Sequence, residues 1–345
     1  MYNGNSVGVV IPAYNEQGFV GNVIESVPSF VDHIYVIDDG STDETWEEIQ
    51  AAVSASRART SLVHPITDGG SNVERVIAIQ HDQNRGVGAA IKTGYLRARD
   101  DKVDIVTVLG GDGQMDPDLL TLVIDPIAKG EAEYVKTNRL LRADHRQSMP
   151  TFRYVGNVIL TYLTRIASGY WGIGDPQSGY TAISLTALET VDIENMYEFY
   201  GYCNDLLVRL NVYKLRVVDV PMPAIYGDEV SHIRYSTYIP NVSKMLFRNF
   251  LWRLRARYLK NGDYSVVGCY TLAVVFGVFA LVSVLLGNTG ISRLVEVVGG
   301  LVLISTFMAL GMLLDKRAND HLDTALLPVD DTRVDATSVT RSQTP

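Results

Sequence analysis

Cysteine is nearly absent from this sequence, and a basic-then-apolar leader is missing. Only Cys203 and Cys269 occur among 345 residues, which excludes a disulfide framework and a cysteine-rich zinc site. An apolar, strand-like run begins at Val7 with no leader before it, so we expect that the protein is not secreted. No internal repeat is visible, and a repeat architecture is therefore not expected.

Positive charge is also scarce. The formal net charge is −9, which gives the chain no electrostatic footprint for nucleic acid and predicts no nucleic-acid partner. Aspartate and arginine dominate the charged residues, a bias typical of high-salt or GC-rich sources. Apolar residues make up 47% of the chain, a high share for a soluble enzyme, and their excess lies near the C-terminus.

Four apolar, β-branched runs alternate with helix-like segments in the first third of the chain. The runs begin at Val7, His33, Val76 and Ile105. Strands that alternate with helices predict a doubly wound, mostly parallel α/β sheet. In such sheets ligands bind beyond the carboxyl ends of the strands, and each of these runs ends in a polar turn. We therefore expect the four turns to form one site.

The turn after the fourth run is the candidate metal site. From Ile105 the sequence reads I-V-T-V-L-G-G-D-G-Q-M-D-P-D, and Asp112 and Gln114 follow the carboxyl end of the strand. Carboxylate and amide oxygens are hard ligands, suited to Mg²⁺ or Mn²⁺ that bridges the phosphates of a nucleotide. Taken alone, the same residues are common in an ordinary strand-to-helix turn. The three motif-like turns that precede it favour the metal site.

The sequences and the order of the four turns resemble those of a known family. P-A-Y-N-E, D-D-G-S, N-R-G-V-G-A-A and D-G-Q-M-D-P are similar to the motifs of family 2 glycosyltransferases with a GT-A fold. Within that family the sequence resembles the dolichyl- and polyprenyl-phosphate hexose synthases, including archaeal ones, over roughly residues 5 to 230. The resemblance implies an inverting transfer of one hexose from a nucleotide sugar to dolichyl or polyprenyl phosphate, with Mg²⁺ or Mn²⁺ as cofactor.

The resemblance also implies a role for residues in each turn. Asp112 and Gln114 would hold the metal on the diphosphate, Asp39 would accept hydrogen bonds from the base, and Asp38 would support that turn. The residues implied in binding the nucleotide sugar are Pro12, Ala13, Tyr14, Glu16, Asp38, Asp39, Gly86, Lys92 and Gln177.

Two positions depart from the family pattern. Gly110 stands where the family usually has the first aspartate of its metal motif, so the metal would have fewer protein ligands, which Mg²⁺ tolerates because it keeps waters and substrate phosphates. Val87 stands where the family often has a lysine in the glycine-rich turn. Lys92 or Arg85 are the candidate substitutes, and the alternative for Lys92 is a solvated helix residue.

Three residues are candidates for the acceptor side. Arg139 and Arg153 match positions at which the resembled synthases bring arginines to the acceptor phosphate, and a guanidinium binds phosphate oxygens in a bidentate manner. Asp205 matches an acidic position that serves some relatives as general base. A lipid phosphate is already an anion at neutral pH, so that acceptor needs no base, and the role of Asp205 is left open.

The last third of the chain has the composition of a membrane segment. We predict a catalytic domain over 1–235, an interfacial amphipathic helix over 236–262, a transmembrane helical hairpin over 263–315 and a disordered tail over 316–345. Arg248, Arg253, Arg255, Arg257 and Lys260 are expected on the polar face of the amphipathic helix.

This arrangement predicts a multi-pass protein of the cell membrane with the lipid bilayer as a partner. Basic residues before the first span and Lys316–Arg317 after the second place the catalytic domain and both termini in the cytoplasm. The hairpin is also a candidate contact for a homo-oligomer.

Three functions remain open at this stage. The favoured one is hexose transfer to a lipid phosphate, with a UDP-glucose-type donor because the V-G-A-A wording resembles glucosyl-type relatives. A second is extension of a lipid-linked oligosaccharide by one sugar, in which Asp205 would be the base. A third is a catalytically inactive membrane tether, for which Gly110 is the only support. The chain lacks the Q-x-x-R-W motif of processive synthases, which favours a single transfer per acceptor.

Overall fold

A computed structural model describes residues 1–63, 74–140, 151–222, 235–286 and 291–325. Its centre is one eight-stranded sheet with the strand order β3-β2-β1-β4-β6-β5-β7-β8. The strands are β1 Val7–Ala13, β2 His33–Asp38, β3 Val76–Gln80, β4 Ile105–Val108, β5 Tyr134–Asn138, β6 Thr181–Ser184, β7 Val217–Pro221 and β8 Asp323–Ala325. Every neighbouring pair is parallel except the two pairs that contain β6. This confirms the prediction of a mostly parallel α/β sheet.

Helices cover both faces of the sheet. They are α1 Val20–Ser26, α2 Thr45–Val63, α3 Val87–Asp100, α4 Leu120–Ala128, α5 Thr151–Ser168, α6 Leu185–Thr190, α7 Tyr202–Val212, α8 Tyr235–Arg257, α9 Ser265–Leu286 and α10 Ile291–Asn319. The central strand β1 explains why both faces are covered. Val9 and Ile11 lie in the apolar core on one face, whereas Val10 lies in the core on the other face. Because alternate residues point to opposite faces, a strand that is apolar throughout must be buried on both.

Helices α9 and α10 pack against each other and have the length and hydropathy of membrane spans. The candidate spans are Ser265–Leu285 and Leu294–Asn319, with a mean hydropathy of 2.3 each. Only 28% of the most apolar window of the first and 11% of that of the second are buried inside the protein, unlike core helices of a soluble domain. The structure thus has the predicted hairpin of two apolar helices at its C-terminal end.

Helix α8 corrects part of the prediction for the amphipathic segment. Its outer surface includes Phe247 and Leu251, which are 64% and 50% exposed, and also Arg248. Arg253 and Arg257, however, are buried and do not belong to the polar face. They face α10, where Arg253 pairs with Asp315 and Arg257 donates a hydrogen bond to Asn319. Helix α8 therefore joins the catalytic domain to the hairpin.

The prediction of a disordered tail that starts at residue 316 is wrong for its first ten residues. Helix α10 continues to Asn319, and Asp323–Ala325 add the edge strand β8 beside β7. Residues 326–345 of the predicted tail lie outside the described part of the chain.

Candidate active site

Three of the motif turns lie together at the carboxyl edge of the sheet because β1 is flanked by β2 and β4. The turn after β1 is bonded to the turn after β2, since Asn15 N donates to Ser41 Oγ at 2.9 Å and Thr42 N donates to Asn15 Oδ1 at 2.9 Å. On the other side, Gly111 N donates to Pro12 O at 3.2 Å. Adjacent parallel strands thus assemble a cleft from segments that are distant in sequence.

The neighbouring aspartates Asp38 and Asp39 are both buried, and each holds a turn in place. Asp38 accepts hydrogen bonds from Ser41 Oγ at 2.5 Å and from Gln80 Nε2 at 2.9 Å. Asp39 accepts from the backbone N–H of Gly86 at 2.7 Å and pairs with His81 Nδ1 at 2.7 Å. A carboxylate has about four acceptor positions. Asp39 can therefore hold the glycine-rich turn and still accept a hydrogen bond from a nucleobase.

His81 belongs to this site although sequence reasoning did not select it. Its ring is buried, with Nδ1 at 2.7 Å from Asp39 Oδ1 and Nε2 at 2.9 Å from Thr93 Oγ1. These two partners fix the orientation of the imidazole and, through it, of the Asp39 carboxylate. The sequence signal was the position of His81 immediately after β3, at the same edge as the other turns.

The turn over residues 84–90 needs its glycines because another segment crosses it and leaves no room for side chains. A Cβ on Gly86, whose φ is +101°, would lie 2.6 Å from the carbonyl oxygen of Glu198, and one on Gly88 would lie 2.4 Å from that of Tyr197. The backbone of Glu198 also accepts a hydrogen bond from Ala89 N at 3.0 Å. Residues 197–201 therefore lie directly against the start of α3.

This crossing segment brings Tyr200 to the cleft. Its side chain is 51% exposed. Partial burial raises the pKa of Tyr200, and the nearby carboxylates of Glu16 and Asp112 raise it further. Tyr14, 41% exposed, follows β1 at the same edge. Tyr200 is thus an aromatic residue of the cleft that the sequence analysis missed, because nothing in its local pattern links it to the motif turns.

The candidate metal turn carries two side chains with oxygen donors, Asp112 and Gln114. Asp112 Oδ1 accepts a hydrogen bond from Gln114 N at 3.1 Å, and both residues lie at the surface of the cleft just beyond β4. A Cβ at Gly110 would be only 2.8 Å from Asp112 Oδ1, so the glycine lets this carboxylate fold back over the turn.

The donor set at this turn fits Mg²⁺ or Mn²⁺. In the described part of the chain, no group of three or more His, Cys, Asp or Glu side chains could hold a metal ion. Asp112 and Gln114 supply hard oxygen donors, and a cation there would complete its coordination with substrate phosphates and water. When bound, the ion would neutralise charge on a departing diphosphate.

Lys92 and Arg85 are the predicted substitutes for the missing lysine at position 87, and both bind the same carboxylate. Lys92 Nζ pairs with Glu198 Oε1, and Arg85 Nη2 lies 3.2 Å from the same oxygen. Lys92 is mostly buried and also donates to the carbonyl of Glu194 at 3.3 Å. These contacts bind Lys92 to the segment that crosses α3, and a contact of Lys92 with the nucleotide stays a prediction.

Arg139, a predicted acceptor residue, pairs with a buried aspartate. Arg139 follows β5 and donates from Nε and Nη2 to the two carboxylate oxygens of Asp175, at 2.6 Å and 2.9 Å. Burial acts to raise the pKa of Asp175, but the Arg139 guanidinium outweighs it and holds the pKa below its ordinary value. Asp175 is therefore ionised at neutral pH and fixes the arginine, whose side chain remains 28% exposed.

Two other predicted residues lie near the acceptor side with different outcomes. Gln177 is in the turn after Asp175 and donates a hydrogen bond from Nε2 to Tyr238 OH on α8, so it connects this turn to the amphipathic helix. Arg153 lies in the first turn of α5, but its side chain is outside the described part of the chain.

Asp205 is buried and fully engaged by protein donors. Its Oδ2 accepts from Tyr197 N at 2.9 Å and from Arg209 Nε at 2.7 Å, and its Oδ1 accepts from Asn249 Nδ2 at 2.6 Å. These contacts fix the start of the segment that carries Tyr200. The geometry gives Asp205 a structural role, and its role as a base in oligosaccharide extension stays a prediction.

If Asp205 is structural, Asp205→Asn should affect stability and not the pH dependence of catalysis. We expect the variant to lose about 1–3 kcal/mol of stability, because a charged acceptor of three hydrogen bonds becomes neutral. The folded enzyme should keep the pH dependence of kcat, since no proton passes through this residue. Asp192→Asn is the matched control, because Asp192 pairs with the same Arg209 at 3.6 Å from a half-exposed position. A loss of the alkaline-side activity plateau in Asp205→Asn alone would restore the base assignment.

Comparison with known proteins gives consistent matches. The model of the family described as Glycosyl transferase family 2 matches residues 8–192. A relative from Methanococcus voltae, a UDP-N-acetylglucosamine–dolichyl-phosphate N-acetylglucosaminyltransferase, is 33% identical over 64% of this chain and 86% of its own. The polyprenol monophosphomannose synthase of Mycolicibacterium smegmatis is 27% identical over 72% of this chain and 87% of its own.

One solved structure is also similar to this chain. Glucosyl-3-phosphoglycerate synthase from Mycobacterium tuberculosis in complex with UDP is 22% identical and has a TM-score of 0.47. The match covers 72% of this chain and 80% of that one.

Proposed function

Because the chain belongs to glycosyltransferase family 2, we propose that it transfers one hexose from a UDP-linked sugar to dolichyl or polyprenyl phosphate. The reaction takes place on the cytoplasmic face of the cell membrane, with Mg²⁺ or Mn²⁺ as cofactor. The names of the Methanococcus and Mycolicibacterium relatives support a lipid phosphate as the acceptor class.

One observation carries this proposal more than any other. The metal turn follows β4 and Arg139 follows β5, and these two strands run in the same direction with only β6 between them. Two strand spacings are roughly 10 Å. With side chains reaching in from both strand ends, a diphosphate on the metal turn and a phosphate on Arg139 would be placed on opposite sides of one anomeric carbon. A cleft with two anion-binding points at this distance suits a transfer between two phosphates.

The chemistry then needs little from the protein beyond position and charge. An oxygen of the lipid phosphate forms a bond to the anomeric carbon as the bond from that carbon to the nucleoside diphosphate breaks, and the electron pair leaves with the diphosphate. Attack opposite to the leaving group inverts the anomeric centre. Arg139 orients the attacking phosphate, while Asp112 and Gln114 would hold a cation, whose charge would stabilise the leaving group. No proton has to be removed from the acceptor.

Exposed apolar residues on two helices of the protein also support a lipid acceptor. Helix α5 packs beside α8, and its outer side exposes the apolar residues Val155, Ile159, Tyr162 and Leu163 at helical spacing. Phe247 and Leu251 on α8 are also exposed, so each of these two neighbouring helices has an apolar outer face. Such a face binds the interfacial region of a bilayer. The sequence analysis assigned this role to α8 only.

A donor and acceptor panel tests the proposal. UDP-glucose, UDP-N-acetylglucosamine and GDP-mannose are each offered with membranes that contain the protein, and nucleoside diphosphate release is measured with polyprenyl phosphate or with a lipid-linked sugar. We expect release with a UDP-sugar only when the lipid phosphate is present. The V-G-A-A motif, which resembles that of glucosyl-type relatives, supports glucose as the transferred sugar. The Methanococcus relative supports N-acetylglucosamine.

Each of the other outcomes selects a different function. Release only with a lipid-linked sugar as acceptor would favour oligosaccharide extension. No release with any donor would favour the inactive tether.

A further inference from the structure

The C-terminal end of the membrane hairpin enters the catalytic domain at a buried polar cluster. Asp315 of α10 is fully buried and accepts hydrogen bonds from Arg253 Nη1 at 2.8 Å and Nη2 at 3.0 Å. Tyr258 OH donates to the same carboxylate. An apolar span that ends in a buried, charge-paired aspartate is fixed in both depth and rotation relative to the domain that it contacts. Nothing in the proposed chemistry accounts for this cluster.

The cluster also reaches the loop of residues 169–174, which connects α5 to Asp175. Trp171 Nε1 donates to Asp315 Oδ2 at 3.1 Å. One position further, Gly172 N donates to Asp323 Oδ2 at 2.6 Å, where Asp323 is the first residue of β8. Two consecutive residues of the loop are thus held by side chains from the C-terminal end of the hairpin and from the strand that follows it.

The other end of this loop leads directly to the acceptor arginine. Gly174 N donates to the buried Asp219 on β7, the strand with which β8 pairs. The next residue is Asp175, which has a positive φ of 40° and binds Arg139 in a bidentate manner. A non-glycine residue keeps such a backbone conformation only where its surroundings hold it there.

We propose that the C-terminal end of the hairpin is part of the acceptor site, in which Trp171, Asp315 and Asp323 are positioning residues. They hold loop 169–174, and through it the Arg139–Asp175 pair, at a fixed place relative to the bilayer. This inference rests on the proposed function, in which Arg139 binds the lipid phosphate. The phosphate of a membrane lipid lies at a fixed depth in the bilayer. An enzyme whose membrane helices hold its phosphate-binding group at that depth positions the acceptor for reaction.

The main test is a kinetic split in Asp323→Ala, measured on the full chain in vesicles that contain polyprenyl phosphate. We expect the acceptor KM to rise about five- to tenfold, the change that loss of one ordinary hydrogen bond gives, because Asp323 acts on the acceptor only through the loop and Arg139. The affinity for UDP with Mn²⁺, measured by calorimetry, should stay within twofold. Asp323→Asn keeps an acceptor oxygen for Gly172 N and should recover most of the loss. Asp320→Ala is the matched control, because Asp320 is exposed three residues away.

A second variant covers the case in which Asp323→Ala does not fold. Trp171→Phe keeps an aromatic ring but removes the N–H that Asp315 accepts, and it should raise the acceptor KM in the same direction. Trp46→Phe, on α2 at the far side of the sheet order, controls for the loss of an indole.

The Arg139→Ala background separates failure of this inference from failure of the proposed function. If Asp323 acts through Arg139, the double variant should have the same acceptor KM as Arg139→Ala alone. Multiplying effects, or an equal loss of donor and acceptor binding in Asp323→Ala, would overturn the inference while leaving the proposed function intact. If Arg139→Ala itself leaves the acceptor KM unchanged, the acceptor side of the proposed function is wrong, and the inference falls with it.

Discussion

Asp112→Asn is expected to lower kcat at least about a hundredfold while leaving the fold and membrane insertion intact. The substitution removes the anionic ligand of the metal turn, so it weakens binding of Mg²⁺ or Mn²⁺ and removes stabilisation from the departing diphosphate. The turn itself should persist, because the asparagine side-chain oxygen can still accept the hydrogen bond that Asp112 accepts from Gln114 N at 3.1 Å. The effect on turnover should therefore not be an effect on stability.

Three measurements check this prediction on purified protein. Turnover is measured across a range of Mg²⁺ and Mn²⁺ concentrations, binding of UDP is followed with and without metal, and thermal unfolding is recorded. Asp118→Asn loses the same charge from an exposed position in the same turn and should behave as the unmodified protein. Near-normal activity of Asp112→Asn at ordinary metal concentrations would show that the metal site is assigned to the wrong residue.

The sequence was sufficient to predict the sheet and the place of the cleft. Strands such as Val7–Ala13 carry apolar residues on both faces, and such a strand is stable only when both faces are buried. Once the strands are parallel, their carboxyl ends share an edge, and turns such as those at Asp39 and Asp112 have to meet there. These conclusions depend on local patterns that a reader of the sequence can see.

The contacts that the sequence could not reveal join residues far apart along the chain. Arg253 looked like part of a solvated basic face, but its partner Asp315 is 62 positions away on another helix. The partner of Lys92 is Glu198, 106 positions away. Pairings of this kind are decided by how packed elements meet, and helical spacing alone cannot distinguish a buried arginine from an exposed one.

Strand β8 escaped prediction for a related reason. Its three residues, Asp-Thr-Ala, carry no apolar pattern, and they form a strand because the edge of β7 offers unpaired backbone groups. Asp205 shows the same limit on the chemical side. Its position in the sequence matched an acidic site residue of relatives, but the sequence does not show the donors from Tyr197, Arg209 and Asn249 that surround it in the fold.

Arg139→Ala is expected to lower transfer to the lipid phosphate by roughly one to two orders of magnitude, because loss of a charge-assisted contact costs about 1.5–3 kcal/mol. Arg139→Lys should recover only part of this, since an ammonium cannot make the planar bidentate pair. The structure adds a second effect, because Asp175 is buried and would lose the guanidinium that keeps it ionised. We therefore expect a loss of stability in Arg139→Ala that is smaller in Arg139→Ala combined with Asp175→Asn.

The control for this prediction has to separate the acceptor from the donor. UDP affinity in the presence of metal should stay unchanged in Arg139→Ala, because the residue follows β5 and not the strands that carry the nucleotide turns. Arg97→Ala removes an arginine that also pairs with an aspartate, Asp101, but on the surface of α3, and it should leave transfer unaffected. If UDP affinity falls as steeply as transfer in Arg139→Ala, then Arg139 belongs to the donor pocket, and the lipid phosphate must be bound by another part of the cleft.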